Sequence, residues 1–136
     1  MQIEYKENNI PKEEDIIELY NSVGWGHTKS PQALFDAIKN SSYVITAWEN
    51  KNLIGLGRAI SDETITVYFP DLLIKPDWQR KGIGTKIMQM LLFKYGHLHN
   101  QVLIAEDEKA IKFYKRLNFK NEGFALSIIK PFPNNK

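Results

Sequence analysis

Asp71-Leu72-Leu73-Ile74-Lys75-Pro76-Asp77-Trp78-Gln79-Arg80-Lys81-Gly82-Ile83-Gly84-Thr85 decides how this chain is read. A continuous apolar run ends at a Lys-Pro pair, a polar loop carries two glycines one residue apart, and a helical pattern follows with Ile83, Ile87, Met90 and Leu91 on one face. Strand, glycine loop and helix in that order leave backbone amides without side-chain cover at a helix N-terminus. The helix dipole favours negative charge there, and Gly82 and Gly84 allow an anion to approach the main chain, with Arg80 and Lys81 adding charge. Two familiar phosphate loops fail on spacing. A P-loop needs Gly-x-x-x-x-Gly-Lys-Ser/Thr, and the dinucleotide fingerprint needs a third glycine where Ile87 stands.

Upstream, Thr64 to Ile74 alternates through Ile65, Val67 and Phe69 before Pro70-Asp71 interrupts it. A proline inside a strand predicts a bulge or an edge. Tyr43 to Trp48 and Leu53 to Ile60 read as a hairpin around Glu49-Asn50-Lys51-Asn52, and Gln2 to Lys6 as a short first strand. Ile16, Leu19, Tyr20 and Val23 give a first helix its apolar stripe, and Ser30-Pro31 starts a second carrying Leu34 and Ile38. Downstream, Gln101 to Ala105 reads as a buried strand, Ala110, Phe113, Tyr114 and Leu117 as a helix stripe, and Phe124 to Ile129 as a last strand. The order β-α-α-β-β-β-α-β-α-β predicts an α/β mixed sheet with helices on both faces.

Composition narrows the function classes. With 136 residues, 43% of them hydrophobic, one domain spanning 1–136 is expected. The absence of cysteine removes disulfides, thiolate metal sites and a cysteine nucleophile, and fits a reducing compartment with the cytosol as default. A net charge of +2 with no long basic run argues against a general nucleic-acid binder. No signal-peptide pattern or membrane-length apolar stretch is present, so neither a membrane nor nucleic acid is an expected partner. His97-Leu98-His99 lacks acidic or thiol neighbours at ligand spacing and reads as a solvated turn, so no metal is expected.

The Gln-Arg-Lys-Gly-Ile-Gly loop after a broken strand resembles the GCN5-related N-acetyltransferase (GNAT) family. Asp107-Glu108-Lys109-Ala110-Ile111-Lys112-Phe113-Tyr114-Lys115-Arg116-Leu117-Asn118-Phe119 resembles that family's second signature, and the two together cover much of the C-terminal half. Val23-Gly24-Trp25, the segment 53–62 and Asp71-Leu72-Leu73-Ile74-Lys75-Pro76 are similar to the plant and cyanobacterial arylalkylamine (serotonin-type) branch. The resemblance implies an acetyl-CoA-dependent N-acetyltransferase fold and activity. It implies that Gln79, Arg80, Lys81, Gly82, Ile83, Gly84 and Thr85 hold the coenzyme A pyrophosphate, and that Leu73 and Ile74 pair with the pantetheine, the Leu73 N–H serving as oxyanion donor. Tyr114 takes the family's place for the acid that protonates the leaving thiolate, with a core tyrosine as the alternative.

Asp71, at the bulge, is the candidate proton relay, with a turn aspartate as the alternative; His27 is a weaker candidate for base, read as a solvated loop histidine. Trp25 and either Tyr68 or Phe69 are expected to line the acceptor pocket, Trp25 alternatively plugging the core. Asp107 stands where the family usually has asparagine, so it can accept from the pantetheine but not donate, and Asn118 replaces the usual glycine at a helix stop. The expected reaction is direct acetyl transfer to a primary amine of a small molecule. A silent acyl-CoA-binding sensor and a protein lysine or N-terminal acetyltransferase are the other readings. Relatives in that family often dimerise through C-terminal strands, so a homodimer is the assembly the resemblance allows.

Overall fold

The computed structural model describes residues 2–123 and 125–133. Its strands are β1 (Glu4–Glu7), β2 (Tyr43–Glu49), β3 (Asn52–Ser61), β4 (Thr66–Ile74) and β5 (Asn100–Val102), and its helices are α1 (Glu13–Ser22), α2 (Pro31–Lys39), α3 (Ile83–Tyr95) and α4 (Glu108–Lys115). The sheet runs β1-β2-β3-β4-β5; the first three pairings are antiparallel and β4 with β5 is parallel. Two short 3-10 turns, Gly26–Lys29 and Pro76–Trp78, complete the regular elements.

Apolar residues fill both faces of this sheet. On one, Ile83, Ile87, Met88 and Leu91 of α3 pack against Ile45, Ala47, Val67 and Phe69; on the other, Ile16, Leu19 and Tyr20 of α1 and Leu34 and Ile38 of α2 meet Val44, Leu53, Leu56 and Leu73. Helix α3 lies close to the sheet because β3 presents glycine beneath it. A Cβ at Gly57 would come within 2.6 Å of Ile87 Cγ2 and 3.2 Å of Leu91 Cδ1.

The expected break in β4 is present and has two consequences. Its ladder with β3 shifts register between Arg58 and Ile60, and its pairing with β5 covers only Thr66 to Tyr68. The extra residue also exchanges the faces: Val67 and Phe69 point to α3 before the bulge, whereas Leu72 and Ile74 do so after it, and Leu73 packs with α1 and α2. From residue 69 onward the edge of β4 that should meet β5 is open.

The strand expected at Phe124 to Ile129 does not form. Phe124 lies outside the described residues, and 125–130 carry no regular structure, with Leu126, Ile128 and Ile129 about nine-tenths exposed. An apolar run becomes a strand only beside a partner edge, and β5, shortened from the expected 101–105 to Asn100–Val102, offers three residues. The tail turns instead toward the 26–29 turn. The Ser30 hydroxyl donates to the Pro133 carbonyl and does not cap α2, although Ser30 holds the N-cap position.

Candidate active site

A groove of about 760 Å³ opens where β4 and β5 part, lined by Trp25, Leu72, Leu73, Ile74, Gln79, Arg80, Gly82, Gly84, Thr85, Asp107, Phe113 and Tyr114, among others. It gathers most of the residues singled out from the sequence. Lys81 and Ile83 do not line it; Ile83 is instead buried in the core under α3. Two conditions make this groove: a strand edge left without a partner, and a helix end left without a cap.

The strand edge follows from register. Lys75 N–H donates to Ile54 O at 2.8 Å, so the ladder alternation places Leu73 opposite Leu56 and Asp71 opposite Arg58 in the hydrogen-bonded positions. The main-chain groups of Leu72 and Ile74 therefore face the open edge. This corrects the expectation for Leu73, whose N–H points into the sheet; Leu72 takes its place as an outward donor, while Ile74 stands as expected. The Gln79 side chain ties the loop to this edge by donating to Ile74 O at 2.9 Å.

At the helix end, Gly82 is the N-cap of α3 with φ +83°, and no side chain caps the first turn. Lys86 N–H closes the first helical bond on Gly82 O, leaving the amides of 83–85 to an outside acceptor. Arg80 also adopts a left-handed φ of 63°, which costs a non-glycine residue energy and curls the loop around the helix end. A Cβ built at Gly84 meets nothing nearer than Phe113 at 3.6 Å, so packing does not require glycine there.

Across the groove, Tyr114 comes from α4, its ring edge-on to Phe113 and Phe119. Burial first, then the carboxylates of Glu106 and Asp71, push its phenol up to about 12, and among the described residues the hydroxyl has no hydrogen-bond partner. A neutral phenol thus stands in the groove wall. Asp107 is the N-cap of α4 and accepts from Ala110 N at 2.8 Å, so one carboxylate oxygen is committed to the helix.

Asp71, 6% exposed, is surrounded on the α1 side of the sheet. Arg58 Nε donates to its Oδ2 at 2.7 Å and the Tyr20 hydroxyl to the same oxygen at 2.9 Å, while His27 Nε2 lies 4.0 Å from Oδ1. Burial, followed by the Asp71 charge, pushes the Tyr20 phenol well above its usual range. Tyr20, Trp25, His27 and Phe132 form a ring cluster, with centroids 4.9–5.9 Å apart. Trp25 belongs both to this cluster and to the groove wall, so it serves as neither a free stacking plate nor a fully buried plug.

Of the two residues expected before the bulge, Phe69 is 5% exposed and packs on Tyr95 and Phe119 in the α3 core, which removes it from any acceptor wall. Tyr68, by alternation, shares the Asp71 face but does not line the groove. Tyr20 and Arg58 lie outside the set of site residues expected from the sequence. The signal for Arg58 was available, since a lone charge inside Leu53-Ile54-Gly55-Leu56-Gly57-Arg58-Ala59-Ile60 needs a buried partner. That for Tyr20 was masked by its place on an apolar stripe. His27 is not the solvated loop residue expected: its Nδ1 is buried and lacks a partner among the described residues.

Comparison with known proteins agrees with this geometry. Residues 6–125 match the model of the Acetyltransferase (GNAT) domain. The chain is 32% identical to an uncharacterized N-acetyltransferase ycf52 of Pyropia yezoensis over 77% of its own length and 63% of that protein's. It is 26% identical to a protein of Glycine max named histone acetyltransferase TAP1, over 88% of this chain and 57% of the relative. It thus spans less than two thirds of these curated relatives. Among solved structures, the GNAT family protein SP0256 of Streptococcus pneumoniae superposes with a TM-score of 0.83 at 29% identity, covering 95% of this chain and 98% of the other. No helix among the described residues is long and apolar enough to cross a membrane. On the match of residues 6–125 to that domain and on these likenesses, the chain belongs to the GNAT acetyltransferase family.

Proposed function

We propose that the chain is one acetyl-CoA-dependent N-acetyltransferase domain spanning 1–136 that moves an acetyl group directly to a primary amine of a small molecule, with arylalkylamines as the class to test first. One observation carries this reading. The open β4 edge at Leu72 and Ile74, the uncapped start of α3 and the Tyr114 side chain line a single groove. A long substrate with a diphosphate at one end and a thioester at the other needs this combination. The amides of 83–85, with Arg80 and Thr85, take the phosphates, and Leu72 and Ile74 pair with the amide-bearing arm. The chemistry of the groove fits: amide donors meet anionic and carbonyl acceptors, and no carboxylate stands among residues 79–85.

In the transfer, the amine nitrogen attacks the thioester carbon, and an outward N–H of Leu72 or Ile74 stabilises the charge on oxygen. The C–S bond breaks and Tyr114 donates to sulfur. A phenol at about 12 facing a thiolate of reference ~8.5 would give up its proton at a cost of about 5 kcal/mol. A thiolate held beside this buried phenol is raised by the same desolvation, and the proton leaving the acylated nitrogen replaces the one Tyr114 gives, so the transfer stays in balance.

The ring cluster beside Asp71 supports a small aromatic or alkyl amine as acceptor. The name of the soybean relative supports a second reading, transfer to a protein lysine. The cytosol expected from composition gains no support from the relatives, two of which, from Arabidopsis thaliana, are named chloroplastic. Thiol release from acetyl-CoA across arylalkylamines, polyamines, aminoglycosides and lysine peptides tests the proposal. Amine-dependent release identifies the acceptor class. Binding of acetyl-CoA with no release on any amine would favour a silent acyl-CoA sensor.

A further inference from the structure

We propose that His27, braced by Asp71, is the group that takes the proton from the acceptor amine. The inference rests on the acetyltransferase reading above and assigns its proton acceptor. Asp71 is poorly placed to do this itself. Its Oδ2 accepts from both Arg58 and Tyr20, and its Oδ1 is turned toward His27 Nε2 at 4.0 Å. That distance is too long for a hydrogen bond and short enough for one to form on a small closure. A carboxylate facing one imidazole nitrogen holds the proton on that nitrogen and presents a lone pair on the other. In this chain the other nitrogen, Nδ1, is the buried side-chain atom that has no partner among the described residues. A buried acceptor with no donor carries a free-energy cost that an incoming N–H removes.

The surroundings fit an amine. Rings of Tyr20, Trp25 and Phe132 lie 5.2, 5.6 and 4.9 Å from the His27 ring, and faces of this kind hold alkylammonium groups. Phe132, half-exposed and outside any regular element, is the wall that an incoming amine displaces. Trp25 connects the box to the groove that carries the β4 edge and Tyr114. The ionisable groups that face His27 are Tyr20 from α1 and Asp71 from β4, with Arg58 of β3 behind Asp71. The imidazolium formed is compensated by the free Asp71 oxygen.

The protons balance. An ammonium gives one proton to Nδ1, which later passes to solvent. The neutral amine forms the C–N bond as the C–S bond breaks, and its second proton replaces the one Tyr114 gives to sulfur. The products are the amide, the thiol and one released proton. His27 is then a catalytic residue, and Asp71 a positioning residue.

The test is thiol release by the whole chain and by His27→Gln on two amines of one skeleton, one with a pKa near 10 and one, bearing electron-withdrawing substituents, that is already neutral at the assay pH. Loss of a general base lowers kcat/KM by about 10²-fold or more on the basic amine. On the neutral amine the loss should be at most about a tenth of that, acetyl-CoA affinity should hold, and added imidazole should restore part of the rate to His27→Ala. Equal losses on both amines, or no loss on either, would overturn the assignment. So would an amine-dependent loss confined to Asp71→Asn. If the unaltered chain binds acetyl-CoA and acetylates neither these amines nor any in the wider panel, the acetyltransferase reading itself falls, and the His27 assignment with it.

Discussion

Removing one oxygen atom at Tyr114 separates its chemical role from its structural one. Tyr114→Phe keeps the ring that contacts Phe113 at 5.0 Å and Phe119 at 5.7 Å, and deletes a hydroxyl that has no partner among the described residues. Because no hydrogen bond is lost and no cavity larger than one oxygen is left, the melting temperature should stay within about 2 °C, equivalent to about 0.5 kcal/mol for a domain of this size. The acid contribution should disappear, lowering kcat by about 10²-fold or more with acetyl-CoA affinity unchanged. With the wild-type phenol raised to about 12, no alkaline limb from this group should appear in kcat below about pH 11. Single-turnover thiol release, paired with calorimetric binding of acetyl-CoA, measures both quantities. Turnover equal to wild type, or a loss of affinity as large as the loss of rate, would refute the reasoning and return Tyr114 to the core.

Gly57→Ala should destabilise the fold by about 1–3 kcal/mol, read in a thermal melt, because its Cβ would meet Ile87 Cγ2 at 2.6 Å and Leu91 Cδ1 at 3.2 Å. Gly84→Ala should leave acetyl-CoA affinity within a few-fold, its nearest neighbour being 3.6 Å away, whereas Gly84→Glu should abolish measurable binding by setting a carboxylate against the phosphates. Arg58→Met should cost about 3–5 kcal/mol in chemical denaturation, since it leaves the buried Asp71 carboxylate without its cation. Tyr43 and Tyr114 are held up to about 12, and Tyr20 and Tyr95 are also raised. The unfolded chain therefore gives up these protons first, near pH 10, so stability should be full below that value and fall between about pH 10 and 12. Phenolate absorbance rising together with loss of helix signal would show it; ionisation near pH 10 in a still-folded chain would contradict it.

Much of the fold and half of the site were legible along the chain, because local signals placed them. The Gly82-Ile83-Gly84 loop needs only backbone freedom at a helix start, and both glycines lie within three residues of chain at the start of the helix they open. Pro70 marks the bulge because a proline cannot keep its place in a ladder, and the stripes of α1, α3 and α4 repeat at the helical period. The resemblance to the family added expected roles for Gln79 and Tyr114, and both residues line the groove.

Properties set by pairing and by distant contacts stayed hidden. Which residue of the Leu72-Leu73-Ile74 run faces outward depends on its register against β3, and that register is counted from the far side of a bulge, so the ladder turns Leu72 and Ile74 outward and Leu73 inward. The same shift of one residue sends Phe69 into the α3 core and Asp71 to the opposite face, beside Tyr20 and Arg58. The last strand failed because apolar alternation supplies a face but no partner edge. His27 looked like a lone loop residue because its neighbours, Asp71 and Phe132, lie 44 and 105 positions along the chain. Local signals alone set what depends on nearest neighbours and helical period: the element order through α4, the glycine loop that opens α3 and the break in β4. Only the tertiary structure decided which backbone groups stayed unpaired and which side chains enclosed Asp71 and His27, because both depend on how strands align and what packs across them.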